Sequence, residues 1–467
     1  MGDPRRYVVI GGGLAGLASA VWLAEAGKQV TLLERRGRLG GRTHAMKAEA
    51  VDDLPDNGQH VIASGYDHLF RYLESVGTRQ YVAFPHAATL RWPDGRKVAM
   101  RTNGLSAWRT FTGAHPDSTL LDRLRAAVAT TRLGWQCLNQ PADLADISSE
   151  QWFQRIGMPA KAREALWDWL ALGVAAEPVQ QESAKVLADV LATGIRLGMK
   201  HRRPVTIGYP TTDLDTLYIT GAKEVFARHG VEVRYRAVAR QVHIADGRVT
   251  GVTLADGSVV PADAVVCAVP NSNIGGLLDD LPEHAEIYAA AQKLGYTPIV
   301  STNLYLDRPL GTEAEFEALI GGTGIIDEVF DRQRMTGRST DKAWLYCLTT
   351  SGAYDQIHKS HDEVVAEQMA LLRRYYPAAA EAKIVQAQVV PMPKATFSQV
   401  VGTHGLRPDQ RTSVPTLVLA GDWTATDWSA TMESAVQSAA RAVDHLLRLP
   451  TPPTPSAAVP DELPSVP

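Results

Sequence analysis

The stretch 7–42 constrains the fold of this chain more than any other part of the sequence. A short apolar run is followed at once by consecutive glycines, and a helical pattern of apolar residues then spans 14–26. A second apolar strand pattern ends on Glu34. Strand, glycine turn, helix, strand and acid in this order are typical of a βαβ unit that binds a dinucleotide.

Each residue type in this unit has a physical role. Gly11 permits the tight turn, Gly13 lets the backbone approach a pyrophosphate, and Gly16 lets the helix pack closely on the strand. The unpaired N–H groups at the helix N-terminus attract phosphate, and Glu34 can accept hydrogen bonds from the ribose hydroxyls. The expected nucleotide contacts of this unit are Gly11, Gly13, Leu14, Ala15, Gly16 and Glu34.

A second glycine turn lies a few residues beyond the acid. Gly40, Gly41 and Arg42 bring further backbone N–H groups and a guanidinium toward the same anion, and Arg35 directly follows Glu34. A simple nicotinamide-binding unit does not need this second clamp. The two motifs together resemble the N-terminus of the amine oxidase and phytoene desaturase superfamily of flavoproteins, and this resemblance implies an FAD cofactor.

The segment 56–60, Asp-Asn-Gly-Gln-His, is a turn pattern with polar side chains beside it. On composition alone it is compatible with a surface turn. Because an apolar pair and then Gly65 and Tyr66 follow, it resembles the signature of the squalene-associated FAD-dependent desaturases, which are hydroxysqualene dehydroxylases. The resemblance implies that this segment, with Gly58 and Gln59, passes close under the flavin ring.

The C-terminal part of the chain carries a second anion-binding pattern. An apolar strand is followed by Gly421 and Asp422, and a helix begins near Thr431 and Met432. In the resembled superfamily, the Gly-Asp pair lies at the ribityl and pyrophosphate region, and the helix directs its N–H groups at the pyrimidine end of the flavin. The resemblance also implies backbone contacts to the adenine from the strand that holds Val233.

Composition argues against several classes of protein. The net charge is −4 and no long basic run is present, so no nucleic-acid partner is expected. Cys137, Cys267 and Cys347 are odd in number and far apart, so neither a disulfide framework nor a metal site is expected. No apolar run is long enough to cross a membrane, and the first strand begins too early for a secretory signal. We expect a cytoplasmic protein.

The order of these patterns predicts an α/β fold. We expect a Rossmann-like, two-dinucleotide-fold FAD-binding domain with a discontinuous, helix-rich substrate domain. The expected FAD-binding domain comprises 1–84, 210–285 and 400–448, and the expected substrate domain comprises 86–209 and 286–399. Within them the sequence predicts a hairpin turn at Asp246 and Gly247, strands near 299–306 and 343–349, and a helix over 361–375. The remaining segment, 449–467, is rich in Pro, Ser and Ala and predicts a disordered tail.

A region rich in tryptophan, 85–209, allows two interpretations. Its tryptophans are Trp92, Trp108, Trp135, Trp152, Trp167 and Trp169, and an apolar stripe of Leu120, Leu121, Leu124 and Val128 lies among Arg123, Arg125 and Arg132. The first interpretation, which we favour, is a helical cap whose stripe is its own core. The second is an amphipathic face that rests on a membrane surface and admits a lipid, so that the protein is peripheral to the membrane.

The resemblance implies reduction of hydroxysqualene, a hydrophobic isoprenoid, to squalene with loss of water, using an electron donor that the sequence does not identify. Protonation of an allylic hydroxyl expels water and leaves a cation that hydride can quench, so the site needs an acid in a dry cavity. Asp56 and His60 are the expected acid and its polar partner. The alternatives are a phytoene-type carotenoid desaturase, an amine oxidase, and a prenyl-lipid-binding escort protein of the same fold without flavin.

Overall fold

The structure is a computed structural model of the 467-residue chain. It describes residues 5–48, 54–85, 88–100, 110–112, 115–202, 204–321, 324–337 and 343–450. Trp108 and the expected tail beyond residue 450 lie outside the described residues.

The strands of the described residues are β1 (Arg6–Ile10), β2 (Gln29–Glu34), β3 (Ile62–Ala63), β4 (Val82–Ala83), β5 (Ala88–Arg91), β6 (Lys97–Met100), β7 (Ile207–Pro210), β8 (Glu232–Tyr235), β9 (Ala239–Ala245), β10 (Arg248–Leu254), β11 (Val259–Pro261), β12 (Ala264–Cys267), β13 (Thr297–Leu306), β14 (Phe316–Leu319), β15 (Glu328–Asp331), β16 (Trp344–Ser351), β17 (Ile384–Thr396) and β18 (Leu417–Leu419).

The α-helices of the described residues are α1 (Leu14–Glu25), α2 (Asp67–Ser75), α3 (Leu120–Asn139), α4 (Ser149–Ile156), α5 (Ala160–Ala162), α6 (Asp168–Ala175), α7 (Ala184–His201), α8 (Gly221–His229), α9 (His284–Leu294), α10 (Arg332–Thr336), α11 (His361–Tyr375) and α12 (Met432–Arg448). The π-helical turns Arg163–Trp167 and Thr216–Thr220 run directly into α6 and α8.

A parallel five-stranded sheet, in the order β18-β12-β1-β2-β8, forms the nucleotide-binding part. Its central strands are apolar on both faces, as expected for parallel strands that are covered by further layers on both sides. Helices α1, α2, α8 and α12 pack in one hydrophobic cluster with this sheet. Every residue of α1 except Glu25 is buried, because its small side chains let α12 and α8 approach closely. The Rossmann-like fold class is confirmed.

The other face of this sheet packs against an antiparallel sheet in the order β11-β10-β9. Asp246 and Gly247, with φ of +49° and +69°, form the tight turn between β9 and β10 that the sequence predicts. Helix α9 packs in the same cluster through Ile287 and Leu294. The expected boundary between 285 and 286 falls within α9, and α9 packs with the nucleotide-binding part.

A mixed seven-stranded sheet, in the order β17-β13-β16-β15-β14-β5-β6, forms the centre of the substrate part. The sequence predicts β13 and β16 near their observed positions but misses the other strands of this sheet. These strands are joined by non-local pairs, such as the parallel pairing of β14 with the distant β5. The substrate part therefore contains a large sheet in addition to the helices that were expected.

Helices α3 to α7 form a cap whose interior contains Trp152 and Trp167. The apolar stripe of α3 does not contribute to that interior. The exposed fractions of Leu120, Leu121, Leu124 and Val128 are 75%, 54%, 58% and 52%. The interpretation of this stripe as core is therefore wrong, because the opposite face of the helix makes the contacts with the cap.

Membrane-spanning helices, metal sites and disulfides are absent from the described residues. None of their helices combines the length and apolar character needed to cross a membrane. No cluster of His, Cys, Asp or Glu among them has the arrangement of a metal site. Within the same ranges, the cysteines are buried and form no disulfide.

Candidate active site and FAD cradle

A cavity of about 760 Å³ lies where the five-stranded and seven-stranded sheets meet, and it receives the glycine motifs from both ends of the chain. Residues from the first glycine turn, the segment 56–60 and the start of α12 all line it. The sequence-predicted residues that line the cavity are Gly11, Gly13, Leu14, Ala15, Glu34, Arg35, Gly40, Gly41, Arg42, Gly58, Gln59, His60, Gly421, Asp422, Thr431 and Met432.

The N-terminus of α1 faces this cavity without a side-chain cap. Gly13 is the N-cap residue, no side chain accepts from the first N–H groups, and the first turn contains no acid. Gly16 has a packing role instead, since a Cβ there would lie 1.8 Å from the carbonyl oxygen of Gly11. The free N–H groups and the positive end of the helix dipole make this N-terminus suited to a phosphate.

Glu34 is held at the end of β2 by the backbone. Its Oε2 accepts a hydrogen bond from the Gly12 N–H at 2.8 Å, and its Oε1 accepts one from the Arg36 N–H at 2.7 Å. Each carboxylate oxygen retains a further acceptor site. The carboxylate is therefore positioned at the cavity wall and can still accept from a ribose hydroxyl.

Arg42 and Asp422 join the two distant motifs directly. The Arg42 Nη2 lies 2.6 Å from the Asp422 Oδ1, and the Arg42 Nη1 donates to the Ala395 carbonyl at 2.9 Å. These two contacts fix the orientation of the guanidinium at the edge of the cavity, and Asp422 also neutralises part of its charge. This contact brings residues that are 380 positions apart into one site.

The start of α12 forms another wall of the cavity. Thr431 is its N-cap, and the Thr431 hydroxyl oxygen accepts from the Ser434 N–H at 3.2 Å. The acid of the first turn, Glu433, points to α2, where its carboxylate accepts from the His68 and Leu69 N–H groups at 3.1 and 2.7 Å. The Glu433 carboxylate therefore caps the N-terminus of α2 and does not face the cavity. The positive end of the α12 dipole is the part of this helix that faces the cavity.

The segment 56–60 lies against β13 of the large sheet. A Cβ at Gly58 would lie 2.8 Å from the Ser301 hydroxyl oxygen, so a side chain at this position would require Ser301 to move. His60 lines the cavity, and burial lowers the pKa of His60 to about 4. Its imidazole is therefore neutral at pH 7, and it can orient a polar group but holds no acidic proton of useful strength.

Asp56, the expected acid, does not line the cavity. Its Oδ1 accepts from the Leu214 N–H at 2.8 Å, and its Oδ2 lies 3.6 Å from the Arg332 guanidinium. Burial raises the pKa of Asp56 to about 7, while the charge of Arg332 opposes that rise. The structure therefore gives Asp56 a structural role, which is to tie the segment 56–60 to the chain before α8 and to α10.

One face of the seven-stranded sheet forms the floor of the cavity. Ser301, Thr349 and Glu328 pair in register across β13, β16 and β15, so their side chains point to the same face. With strands about 4.8 Å apart, Glu328 lies roughly 10 Å across the floor from Ser301. The apolar residues Ile299, Phe330 and Met392 line the same surface.

Glu328 is the acidic group on this floor. Its Oε1 accepts from the Trp169 Nε1–H at 3.1 Å. Burial raises the pKa of Glu328 well above its usual range, and the charge of the adjacent Asp327 raises it further. Asp327 accepts from the Ser351 N–H at 2.6 Å, which stabilises its ionised form. Burial raises the pKa of Asp327 as well. Glu328 is the member of the pair that lines the cavity, and its raised pKa favours the protonated form at neutral pH.

The comparison with known families matches this site. The model of the family described as flavin containing amine oxidoreductase matches residues 14–447, which is nearly the whole described chain. The chain belongs to this family. It is therefore an FAD-dependent oxidoreductase, and the FAD expected from the sequence is confirmed as its cofactor.

Several curated proteins are similar to this oxidoreductase along most of its length. The hydroxysqualene dehydroxylase of Zymomonas mobilis is 26% identical over 449 residues, which cover 93% of this chain and 97% of that protein. The 15-cis-phytoene desaturase of Solanum lycopersicum is 23% identical over 465 residues, which cover 93% of this chain and 76% of that protein. Both are distant relatives.

Solved structures show the same fold at lower identity. Putrescine oxidase with bound putrescine is 18% identical, has a TM-score of 0.73, and matches over 95% of this chain and 99% of that chain. An oxidoreductase from Methanosarcina mazei is 15% identical with a TM-score of 0.71, over 94% and 100% of the two chains. These likenesses establish the architecture.

The residues of this oxidoreductase fit an FAD molecule. The uncapped α1 N-terminus and Arg42 suit the pyrophosphate, Glu34 suits the adenosine ribose, and the α12 N-terminus suits the ring. The floor of the large sheet then adjoins the space left for a substrate. The roles of the individual residues in holding FAD remain predictions.

The structure changes the expectation for the adenine contact. Val233 lies within β8, where it pairs with Leu32, and it does not line the cavity. After β8 the chain turns at Arg236, whose φ is +55°, and the segment 237–240 then lines the cavity. We therefore expect the adenine contact at Val238 in place of Val233.

Sequence reasoning missed the residues of the sheet floor. Ser301 and Thr349 lie in strands that were predicted, but the sequence does not show which face of each strand meets the cavity. Glu328 lies in β15, which was not predicted. The sequence pattern that could have indicated this strand is the acidic Glu328 directly before the apolar residues Val329 and Phe330.

Proposed function

We propose that this oxidoreductase removes the hydroxyl group of hydroxysqualene reductively and releases squalene. The observation that carries the proposal is Glu328, a buried carboxyl group on the cavity floor whose pKa is raised by burial and by the charge of Asp327. An allylic hydroxyl is a poor leaving group until it is protonated, so a held proton in an apolar cavity is what this reaction requires. The signature at 56–60 and the similarity to a hydroxysqualene dehydroxylase support the same substrate.

The reaction balances with two electrons and two protons. The allylic C–O bond breaks as the Glu328 carboxyl gives its proton to the leaving oxygen, and water departs. Bound FAD, in its reduced state, supplies the hydride that forms the new C–H bond. An external two-electron reductant closes the cycle. Solvent then returns a proton to Glu328.

The remaining cavity residues bind and orient the substrate. Ile299, Phe330 and Met392 offer an apolar surface to an isoprenoid chain. The Thr349 hydroxyl is buried beside Glu328 and has no hydrogen-bond partner among the described residues. It can hold the substrate hydroxyl near the Glu328 proton. The neutral imidazole of His60 is a further hydrogen-bonding group on the cavity wall.

A phytoene-type desaturase is the second candidate, since such enzymes are similar to this chain over most of its length. Desaturation removes hydrogen from a C–C bond and needs no protonated acid. An amine oxidase is the third, because the architecture matches that of putrescine oxidase. In that case an ionised Glu328 would pair with the substrate ammonium, which requires the carboxyl group to lose its proton.

Product analysis with the flavin in each redox state separates these functions. The purified protein is incubated without oxygen with hydroxysqualene, phytoene or putrescine, once with oxidised FAD and once after photoreduction. We expect squalene from the photoreduced protein alone. Reduction of the oxidised flavin by phytoene or by putrescine, without squalene formation in the other arm, would show that the proposed direction is wrong.

A further inference from the structure

Helix α3 presents an apolar face to solvent along its whole length. The exposed fractions of its large apolar side chains range from 44% for Leu138 to 75% for Leu120, and that of Trp135 is 62%. At about 100° per residue, these side chains occupy an arc of about 100°, and the stripe is about 27 Å long. The stripe, which we call the α3 face, consists of Leu120, Leu121, Leu124, Val128, Trp135 and Leu138.

The opposite side of α3 is fixed to the protein. Ala126, Ala129, Leu133 and Cys137 are buried in the cap. The helix begins with a capping box between Thr119 and Asp122, in which each side chain bonds the backbone N–H of the other. The helix is therefore formed and anchored without the α3 face. Soluble monomers rarely expose an apolar patch of this extent unless it contacts a partner.

Charged side chains beside the α3 face are mainly cationic. Arg123 lies at one edge of the stripe, and Arg125 and Arg132 lie at the other, all exposed. Arg132 donates to the Ile156 carbonyl of the cap at 3.2 Å, while no carboxylate among the described residues pairs with Arg123 or Arg125. The nearby acid, Asp122, is already engaged by the Thr119 N–H at 2.9 Å and by Lys161 at 3.2 Å.

We propose that the α3 face docks on a membrane of anionic phospholipids, with its axis in the plane of the interface. Leucine and tryptophan side chains enter the boundary between headgroups and acyl chains, and the flanking arginines contact lipid phosphates. A second copy of this chain is a less suitable occupant, because two α3 faces would bring cationic edges close to each other. An anionic bilayer offers acyl chains to the apolar stripe and phosphates to the arginines at both of its edges.

The α3 face is also connected to the cavity through the cap. The buried residues of α3 pack in one hydrophobic cluster with Trp167 and with Phe330, which lines the cavity floor. Trp169 of α6 bonds Glu328 on the same floor. Docking through α3 therefore places the bilayer on the outer surface of the cap that covers the cavity, whichever apolar substrate the enzyme takes.

Sedimentation with vesicles tests this proposal without any need for catalytic activity. The FAD-loaded protein is mixed with vesicles of phosphatidylcholine alone or of phosphatidylcholine with phosphatidylglycerol. The test variant is Val128→Glu, and the matched control is Val259→Glu, because Val259 is exposed to a similar extent, 57%, on β11 far from α3 in sequence. Both variants place a glutamate at an exposed valine and should stay folded.

We expect the wild type and Val259→Glu to sediment with the anionic vesicles. Val128→Glu should bind about ten-fold more weakly, since it loses one apolar side chain from the interface and places a charge there. Arg123→Gln and Arg125→Gln should each weaken binding to anionic vesicles about five-fold. Equal binding by Val128→Glu and Val259→Glu would overturn the proposal. Absence of wild-type binding, or a wild-type dimer that Val128→Glu converts to a monomer, would also overturn it.

Discussion

Replacing Glu328 by glutamine removes the proposed proton donor and leaves the shape of the cavity nearly unchanged. The glutamine amide can still hydrogen-bond to the substrate hydroxyl, but it cannot give up a proton. A positioned general acid contributes about 100- to 10,000-fold to a rate. This range corresponds to about 3–5 kcal/mol of barrier. We expect the single-turnover rate of Glu328→Gln to fall within it, with little change in substrate affinity.

The assay follows reoxidation of the photoreduced flavin by absorbance after anaerobic mixing with hydroxysqualene. Burial and the neighbouring Asp327 raise the pKa of Glu328 to about 8, so the wild-type rate should fall as the pH rises above that value. The residual rate of Glu328→Gln should show no such fall. With the acetate ester of the same alcohol, whose leaving group departs without a proton, the two proteins should differ much less.

Asp56→Asn is the control for this experiment, because Asp56 is a buried carboxyl group outside the cavity. Its single-turnover rate should remain within a few-fold of the wild type. A wild-type rate in Glu328→Gln, or a large loss in Asp56→Asn at unchanged flavin content, would refute the assignment of the acid. The first result alone would leave the overall reaction in place but would remove Glu328 from it.

Three further predictions follow from the same contacts. Asp56→Asn should lower the free energy of unfolding by about 1–3 kcal/mol, because the buried Arg332 loses its carboxylate partner and keeps only the neutral oxygens of Gln59 and Thr212. Chemical denaturation measures this loss. The unfolding free energy of the wild type should decrease between about pH 5 and pH 8, because folded Glu328 keeps a proton that the unfolded chain releases. Glu328→Gln should lack this contribution, so its stability should decrease less over the same pH range. Thermal melts of both proteins across that range measure the difference. Arg42→Met should raise the dissociation constant for FAD about 10- to 100-fold by flavin-fluorescence titration, whereas Arg411→Met, which breaks an exposed ion pair with Asp409, should leave it unchanged. An unchanged FAD affinity in Arg42→Met would contradict the role given to the second glycine turn.

Sequence reasoning succeeded where the signal is local. The glycine turn before α1 is specified by residues a few positions apart, since each glycine is required by one local steric constraint. Helix α11 was expected at 361–375 and is observed at His361–Tyr375, because its capping residue Ser360 and its apolar periodicity lie within one segment. The turn at Asp246 and Gly247 likewise follows from two adjacent residues.

Sequence reasoning failed where the outcome depends on distant partners. The periodicity of α3 reveals that the helix has an apolar face, but a buried face and a lipid-facing face have the same period. The short strands β5 and β14 join one sheet because they pair with each other across more than two hundred residues, and a local pattern cannot show this pairing. The acid on the cavity floor was missed for the same reason, since the position of Glu328 depends on the register of β15 against β16.

The measurement that most directly tests the central claim is a single turnover in heavy water. The photoreduced protein is mixed without oxygen with hydroxysqualene, and the product is analysed by mass spectrometry while flavin reoxidation is followed. The account predicts squalene in one-to-one stoichiometry with reoxidised flavin, each product molecule carrying one deuterium in place of the hydroxyl group. Recovery of unchanged hydroxysqualene from a fully reduced, FAD-loaded protein would contradict it.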